Sequence, residues 1–181
     1  MPILTITKMG HPILARIAAK IEDPADPRWA LLVEDMKETM AAAGGVGLAA
    51  PQVEVDAQLV MFFVPGHRVE GARAEEGGLP LTVLINPEIT PLSEEMAEGY
   101  EACLSVPGLT GIVPRWTHIH YRGLDLAGKV VEREARGFHA RVVQHECDHL
   151  FGRLYISRMK DLSSLAYRDE LARLVSAKEE L

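Results

Sequence analysis

The stretch Gly137-Phe138-His139-Ala140-Arg141-Val142-Val143-Gln144-His145-Glu146-Cys147-Asp148-His149-Leu150-Phe151-Gly152 decides how the chain is read. Its spacing predicts a helix from about Gly137 to Phe151, ended by Gly152 as a C-terminal cap. At about 100° per residue, His145 and His149 fall about 40° apart on one face, one turn from each other. Two imidazoles so placed can grip one metal ion, with Glu146 beside them where it can serve a hydrolytic water. Cys147 lies roughly 160° to 200° from both histidines and cannot be a third ligand from the same turn. A structural metal site would close with four protein ligands and more cysteine. The helix alone therefore points to a metallohydrolase whose third ligand lies elsewhere.

Downstream of His149 there is no histidine, and Glu170, Glu179 and Glu180 fall in a polar tail too solvated to supply a ligand. Upstream, Glu101-Ala102-Cys103-Leu104-Ser105 offers a thiolate, a better ligand for a soft or borderline divalent metal than a remote surface carboxylate. Cys103 taken alone reads equally as a small buried hydrophobe. Further upstream lies Gly45-Val46-Gly47-Leu48-Ala49-Ala50-Pro51-Gln52. Its glycines allow close backbone approach to a substrate, and Gln52 presents a neutral amide. No Gly-Lys-Ser/Thr follows, so it is not a phosphate loop.

Around these motifs the chain organises without repeats or low-complexity linkers. Residues 1–22 read as an irregular arm punctuated by His11-Pro12 and the Pro24–Pro27 cluster. Asp26-Pro27 opens a helix in which Leu31, Leu32, Met36 and Met40 recur at helical spacing, and Gly44-Gly45 stops it. Strands are expected at Gln58–Val64, Thr82–Asn86, Gly111–Pro114, Thr117–Arg122 and Lys129–Ala135, with a surface loop over Pro65–Pro80. A polar amphipathic tail, Ser163–Lys178, reads as a third helix. Strands that do not alternate with helices as βαβ units indicate an α+β fold.

The 181 residues fit one globular domain, 1–181, with residues 163–181 as its C-terminal helical tail. At 48% hydrophobic and 25% charged the chain is not disordered, and no run approaches the roughly 20 apolar residues of a membrane span. With 19 basic and 26 acidic residues, net −7, a non-specific nucleic-acid binder is excluded. Met1-Pro2-Ile3-Leu4-Thr5-Ile6 lacks the basic and apolar regions of a secretory signal, so a cytoplasmic location and two free thiols are expected.

Together the three segments resemble peptide deformylase. The first family motif, G-φ-G-φ-A-A-x-Q, matches in full at Gly45–Gln52, and Q-H-E-x-D-H matches in full at Gln144–His149. The middle motif, E-G-C-φ-S, matches at Glu101, Cys103, Leu104 and Ser105 but carries Ala102 where the family usually has Gly. Because Ala tolerates positive φ poorly, that departure bears on the backbone geometry beside the metal. The resemblance covers roughly residues 5–160.

It implies an α+β fold of antiparallel strands around a central helix carrying His-Glu-x-x-His. It implies removal of the formyl group from the formyl-methionine of nascent peptides, with release of formate. Cys103, His145 and His149 would be the metal ligands and Glu146 the proton-transferring base. The Gln52 amide and the Leu104 backbone N–H would stabilise the developing oxyanion, and Gly47 would hydrogen-bond the peptide backbone. The cofactor implied is one divalent ion, Fe2+ in the cell, although the donor set also accepts Zn2+, Ni2+ or Co2+. The ribosome near its exit tunnel becomes a candidate partner, while no membrane and no specific nucleic acid are expected. Arg115 is expected to pair with Asp148 or Glu101 and hold the ligand loop against the helix. Phe138 and Val142 share the His145 face and, with Val46, would line an apolar pocket for the methionine side chain, with Arg141 at its rim favouring acidic or polar residues further along. The competing readings are a zinc-dependent peptidase of another class and a non-catalytic metal-binding module.

Overall fold

The computed structural model describes residues 2–68 and 78–179, the last six of these by backbone alone. Its organising strand is β2 (Leu59–Pro65), which is apolar at nearly every position because both of its faces are covered. Side chains alternate across a strand. Val60, Phe62 and Val64 accordingly join one cluster with Val142, Val143, Cys147 and Leu150 of α2 (Gly137–Leu150). Leu59 and Met61 join another with Trp29, Val33, Met36 and Met40 of α1 (Pro27–Ala42). One strand thus ties together two helices on opposite sides of a sheet.

That sheet has five antiparallel strands in the order β1 (Gly47–Ala49), β2, β3 (Gly78–Pro91), β6 (His118–Leu124) and β7 (Val130–Arg136). A second sheet orders β4 (Met96–Cys103), β5 (Val106–Trp116) and β8 (Ala166–Tyr167), again antiparallel. Helix α2 packs against both. Toward the second sheet, the Gln144 side chain donates to Trp116 O at 2.9 Å and accepts from Trp116 N at 3.1 Å, standing in for a strand partner. From His139 to Leu150 every residue of α2 except Arg141 is buried. The expected mixture of helices and antiparallel sheets is what the structure has.

Both helix ends follow the sequence signals. Asp26 caps α1 by accepting from Arg28 N at 2.9 Å, with Pro27 in the first turn. Gly152 follows α2 with φ +66°, and a Cβ there would collide with the backbone of Ala15. Residues 2–22 form no helix or strand apart from a 3-10 turn at Pro12–Ala15 and a single bridge from Ile17 to Phe151.

Several segments differ from expectation, among them Met96–Cys103, where no strand was expected and β4 forms, and β3 and β5, which run longer than expected. Residues Gly45–Gln52 hold a short strand, β1, followed by the 3-10 turn Ala50–Val53, and are not a plain loop. Of the loop Pro65–Pro80, the ends are structured: Pro65 closes β2, Gly66–Arg68 form a 3-10 turn and β3 starts at Gly78, while 69–77 lie outside the described residues. The tail helix α3 (Arg168–Glu179) starts five residues later than its pattern suggested. Asp161 caps a 3-10 turn at Leu162–Ser164, and Ala166–Tyr167 pair with β5 before the helix can begin. Among the described residues no helix is long and apolar enough to cross a membrane.

Candidate metal and catalytic site

Cys103 ends β4, where the chain reverses through Leu104-Ser105 and resumes as β5 with Cys103 opposite Val106. The strand register shifts between Glu101 and Cys103, so residues 107–110 bow outward before normal pairing returns at Gly111. The N-terminal arm pins this turn and the Gln52 segment together. Met9 N donates to Ser105 O at 2.8 Å and Thr7 N to Gln52 O at 2.8 Å.

Helix α2 brings His145 and His149 to the same place. One donor atom each from Cys103, His145 and His149 lie within 4.8 Å of one another, and all three residues are buried. His145 donates through Nδ1 to Glu101 Oε2 at 2.8 Å, which fixes its tautomer and turns Nε2 toward the cluster. His149 Nε2 lies 3.4 Å from Cys103 Sγ. Burial disfavours the Cys103 thiolate, yet His149 and His145 hold the thiol well below its ordinary range. A soft thiolate and two imidazoles form the donor set that borderline divalent metals take, leaving a fourth position open. The residues fit such an ion.

Glu146 is buried, and among the described residues its Oε2 has no hydrogen-bond partner. Desolvation raises its carboxyl to about 7, with the two histidines pulling the other way. Gln52 is oriented by its own backbone neighbourhood. Its Oε1 accepts from Ala49 N at 2.9 Å, while Nε2 donates to Ser105 Oγ at 3.0 Å and lies 3.5 Å from Cys103 Sγ. Gly47 passes so close to Glu146 that a Cβ there would overlap the carboxylate.

Behind the cluster runs a buried ion network. Arg115 donates through Nε and Nη2 to both oxygens of Glu101, at 2.9 Å each, and through Nη1 to Asp148. Arg158 grips Asp148 from the other side. Burial alone would raise the Glu101 pKa, but the bonds from His145 and Arg115 hold it far below the carboxylate range. Arg115 therefore pairs with both expected partners, not one of them.

A cleft of about 610 Å³ opens onto these groups, and Val46, Gly47, Phe138 and Val142 line it together with Leu104. Val142 also belongs to the core cluster, against which Val46 and Phe138 pack, so this patch serves the core as well as lining the cleft. Arg141 is not a free rim cation. Its Nη1 donates to Glu101 Oε1 at 2.8 Å and Val113 O at 2.8 Å, and its Nη2 to Ala97 O at 2.7 Å, so three of its five donors are held by β4 and β5 while it also lines the cleft. Ala102 is exposed and does not have positive φ, so Ala stores no strain there. Cys147 is buried on the far face of α2, and both cysteines are free.

Sequence reasoning missed Glu101 as the partner of His145 and Ser105 as the acceptor for Gln52. Tyr155, stacked on His145 with ring centroids 6.2 Å apart, was also missed. Glu101 and Ser105 lie inside a recognised motif, so their positions were visible although their partners were not. Nothing local marks Tyr155.

Comparison with known proteins agrees with this geometry. The family description "Polypeptide deformylase" matches residues 3–164. A peptide deformylase of Bordetella pertussis is 57% identical over 92% of this chain and 93% of its own length. One from Nitrosomonas europaea is 49% identical over the same shares. Among solved structures, peptide deformylase from Ehrlichia chaffeensis superposes with a TM-score of 0.79 at 34% identity, covering 98% of this chain and 97% of that one. A Met-Ala-Ser-bound peptide deformylase from Acinetobacter baumannii gives a TM-score of 0.76 at 37% identity, covering 87% and 99%. With the donor cluster, the adjacent glutamate and this breadth of similarity in hand, the chain belongs to the polypeptide deformylase family.

Proposed function

We propose that Cys103, His145 and His149 hold one divalent metal ion and that Glu146, Gln52 and Leu104 act beside it. Family membership makes the chain a deformylase, a hydrolase that removes the N-formyl group from formyl-methionyl polypeptides and releases formate. The observation that carries the assignment of roles is the convergence of the three buried donors next to the unpartnered Glu146 oxygen.

A divalent ion held by Cys103, His145 and His149 would supply Lewis acidity to the formyl carbonyl and to the attacking water. Glu146 accepts that water's proton at its open oxygen as the new C–O bond forms, and delivers it to the departing amine as the C–N bond breaks. Gln52 Nε2 and the Leu104 N–H donate to the formyl oxygen as it gains negative charge. Gly47 lies in β1, the edge strand of its sheet, so its outer backbone groups are available to an extended peptide. Val46, Phe138 and Val142 receive the methionine side chain.

The ion assigned for the cell is Fe2+, with Zn2+, Ni2+ and Co2+ accepted by the same donors. Residues 1–181 act as one catalytic domain with 163–181 as its C-terminal tail. Its substrates, nascent chains, place its work in the cytoplasm near the ribosomal exit tunnel. The test is formate release from formyl-Met-Ala-Ser by the metal-loaded protein, before and after chelation. Release that stops with chelator and returns with metal supports the reading. Cleavage of internal peptide bonds would favour a peptidase, and metal uptake without hydrolysis a binding module.

A further inference from the structure

Arg68 and Arg168, a hundred residues apart in sequence, both line the cleft that leads to the candidate site. Arg68 ends the turn after β2, and its guanidinium lies 4.9 Å from the centre of the Phe138 ring, over the end of the cleft assigned to methionine. Arg168 opens α3 directly after β8, and the pairs Leu109–Tyr167 and Thr110–Ala166 dock that segment on the outward bow of β5. The C-terminal tail thus contributes to the cleft itself.

The charge balance of the lining is one-sided. Among the described residues neither arginine has an ion-pair partner. Among the described residues lining the cleft, the only carboxylates are Glu101 and Glu146, both buried, and Glu101 is matched by Arg115 and Arg141. A chain of net charge −7 therefore presents cations where its substrate enters. The net charge of the chain disfavours acidic peptides at long range, and these two cations attract them at the cleft.

We propose that Arg68 and Arg168 are specificity-determining residues that favour formyl-methionyl peptides with a carboxylate side chain soon after the methionine. An extended chain advances roughly 3.3–3.6 Å per residue, so a cleft of this size addresses only the first few positions. The proposal takes up the part that Arg141 cannot play, and it rests on the deformylase reading of the cleft.

The test compares kcat/KM on C-terminally amidated formyl-Met-Asp-Ser and formyl-Met-Ala-Asp with their Asn counterparts, which keep the shape and drop the charge. Amidation removes the terminal carboxylate as a second source of the same chemistry. Each exposed charge contact is worth about 1.4- to 5-fold, so the metal-loaded wild type should prefer at least one Asp peptide by about three- to tenfold. That preference should shrink as salt rises from about 0.05 M to about 0.5 M. In the R68Q/R168Q double variant the Asp/Asn ratio should fall to near one, and in R68K/R168K most of it should return. Ratios are taken within each variant, so a general loss of activity cancels. A wild-type ratio near one for both pairs, or one that the double variant leaves unchanged, would overturn the proposal. So would a gain seen only for free-acid formyl-Met-Ala-Ser over its amide. No formate from any of these peptides would instead sink the deformylase reading, and this one with it.

Discussion

Glu146 sits where an ionised carboxylate is costly, buried in the middle of α2 with one oxygen unpartnered. Such a group is retained for proton transfer and not for stability. Glu146→Gln keeps size and hydrogen bonding but cannot accept a proton. It should fold, keep its metal and lose about 10²- to 10⁴-fold in kcat. Near wild-type turnover with full metal content would remove Glu146 from the base's role. Gly47→Ala attacks the same carboxylate sterically from its other oxygen, since the added Cβ would overlap Glu146 Oε1. Pushing that group about 1 Å aside should cost on the order of 10² in kcat/KM while metal binding persists, and unaltered kinetics would show that the carboxylate has room to spare. At Ala102 the sequence suggested strain, because the family's usual glycine invites the inference of a left-handed backbone. The observed φ is not left-handed. Ala102→Gly should therefore give no gain in stability and cost about 0.5–1 kcal/mol as a glycine in a strand. A rise in Tm would restore the strain argument.

At the level of elements, legibility followed the range of the determining interactions. Helix α2 and its two histidines could be read directly because helical periodicity is local, and α1 because Asp26, Pro27 and the following apolar spacing are local too. Strand β2 was legible as a strand, but not as the layer between two helices, because a continuous apolar run does not say what covers each face. Strand β4, Met-Ala-Glu-Gly-Tyr-Glu-Ala-Cys, carries no β-branched residue and was missed. Its conformation is imposed by pairing with β5. Arg141 was misjudged for the same reason, since the backbone acceptors that hold it belong to that unseen hairpin. The link between hairpin and helix is Arg115. Arg115→Ala leaves Glu101 to Arg141 and His145, and Asp148 to Arg158, so it should cost less than the roughly 3–5 kcal/mol of a fully broken buried pair, on the order of 2–3 kcal/mol by denaturant titration. Arg115→Lys should recover only part, because an ammonium cannot bridge both oxygens of Glu101 and also Asp148. In the cleft, Val142→Trp should fill the pocket beside Phe138. It should cut kcat/KM for formyl-Met-Ala-Ser at least tenfold, about 1.4 kcal/mol, while sparing formyl-Ala-Ala-Ser. Equal losses on both would mean disrupted packing and no pocket.

Across the whole molecule, the site is assembled from segments with no local relation: the β1 turn, the β4–β5 hairpin, α2, and the N-terminal arm that clamps two of them. Topology alone brings them together, which is why motif order could be read while the contacts of Glu101, Ser105 and Tyr155 could not. A metal that bridges the hairpin to the helix should stabilise the folded chain by mass action. Chelation should lower Tm reversibly, and an unchanged Tm would mean that the donors do not share an ion. The central claim is that Cys103 and the two histidines hold one ion together. Substituting Co2+ and recording the near-ultraviolet spectrum tests it most directly, because a cobalt–thiolate bond gives a charge-transfer band. The wild-type protein should bind one equivalent and show that band, and Cys103→Ala should lose the band and most of the metal. A Co2+-loaded wild type without the band, or a Cys103→Ala protein that keeps it, would contradict the account.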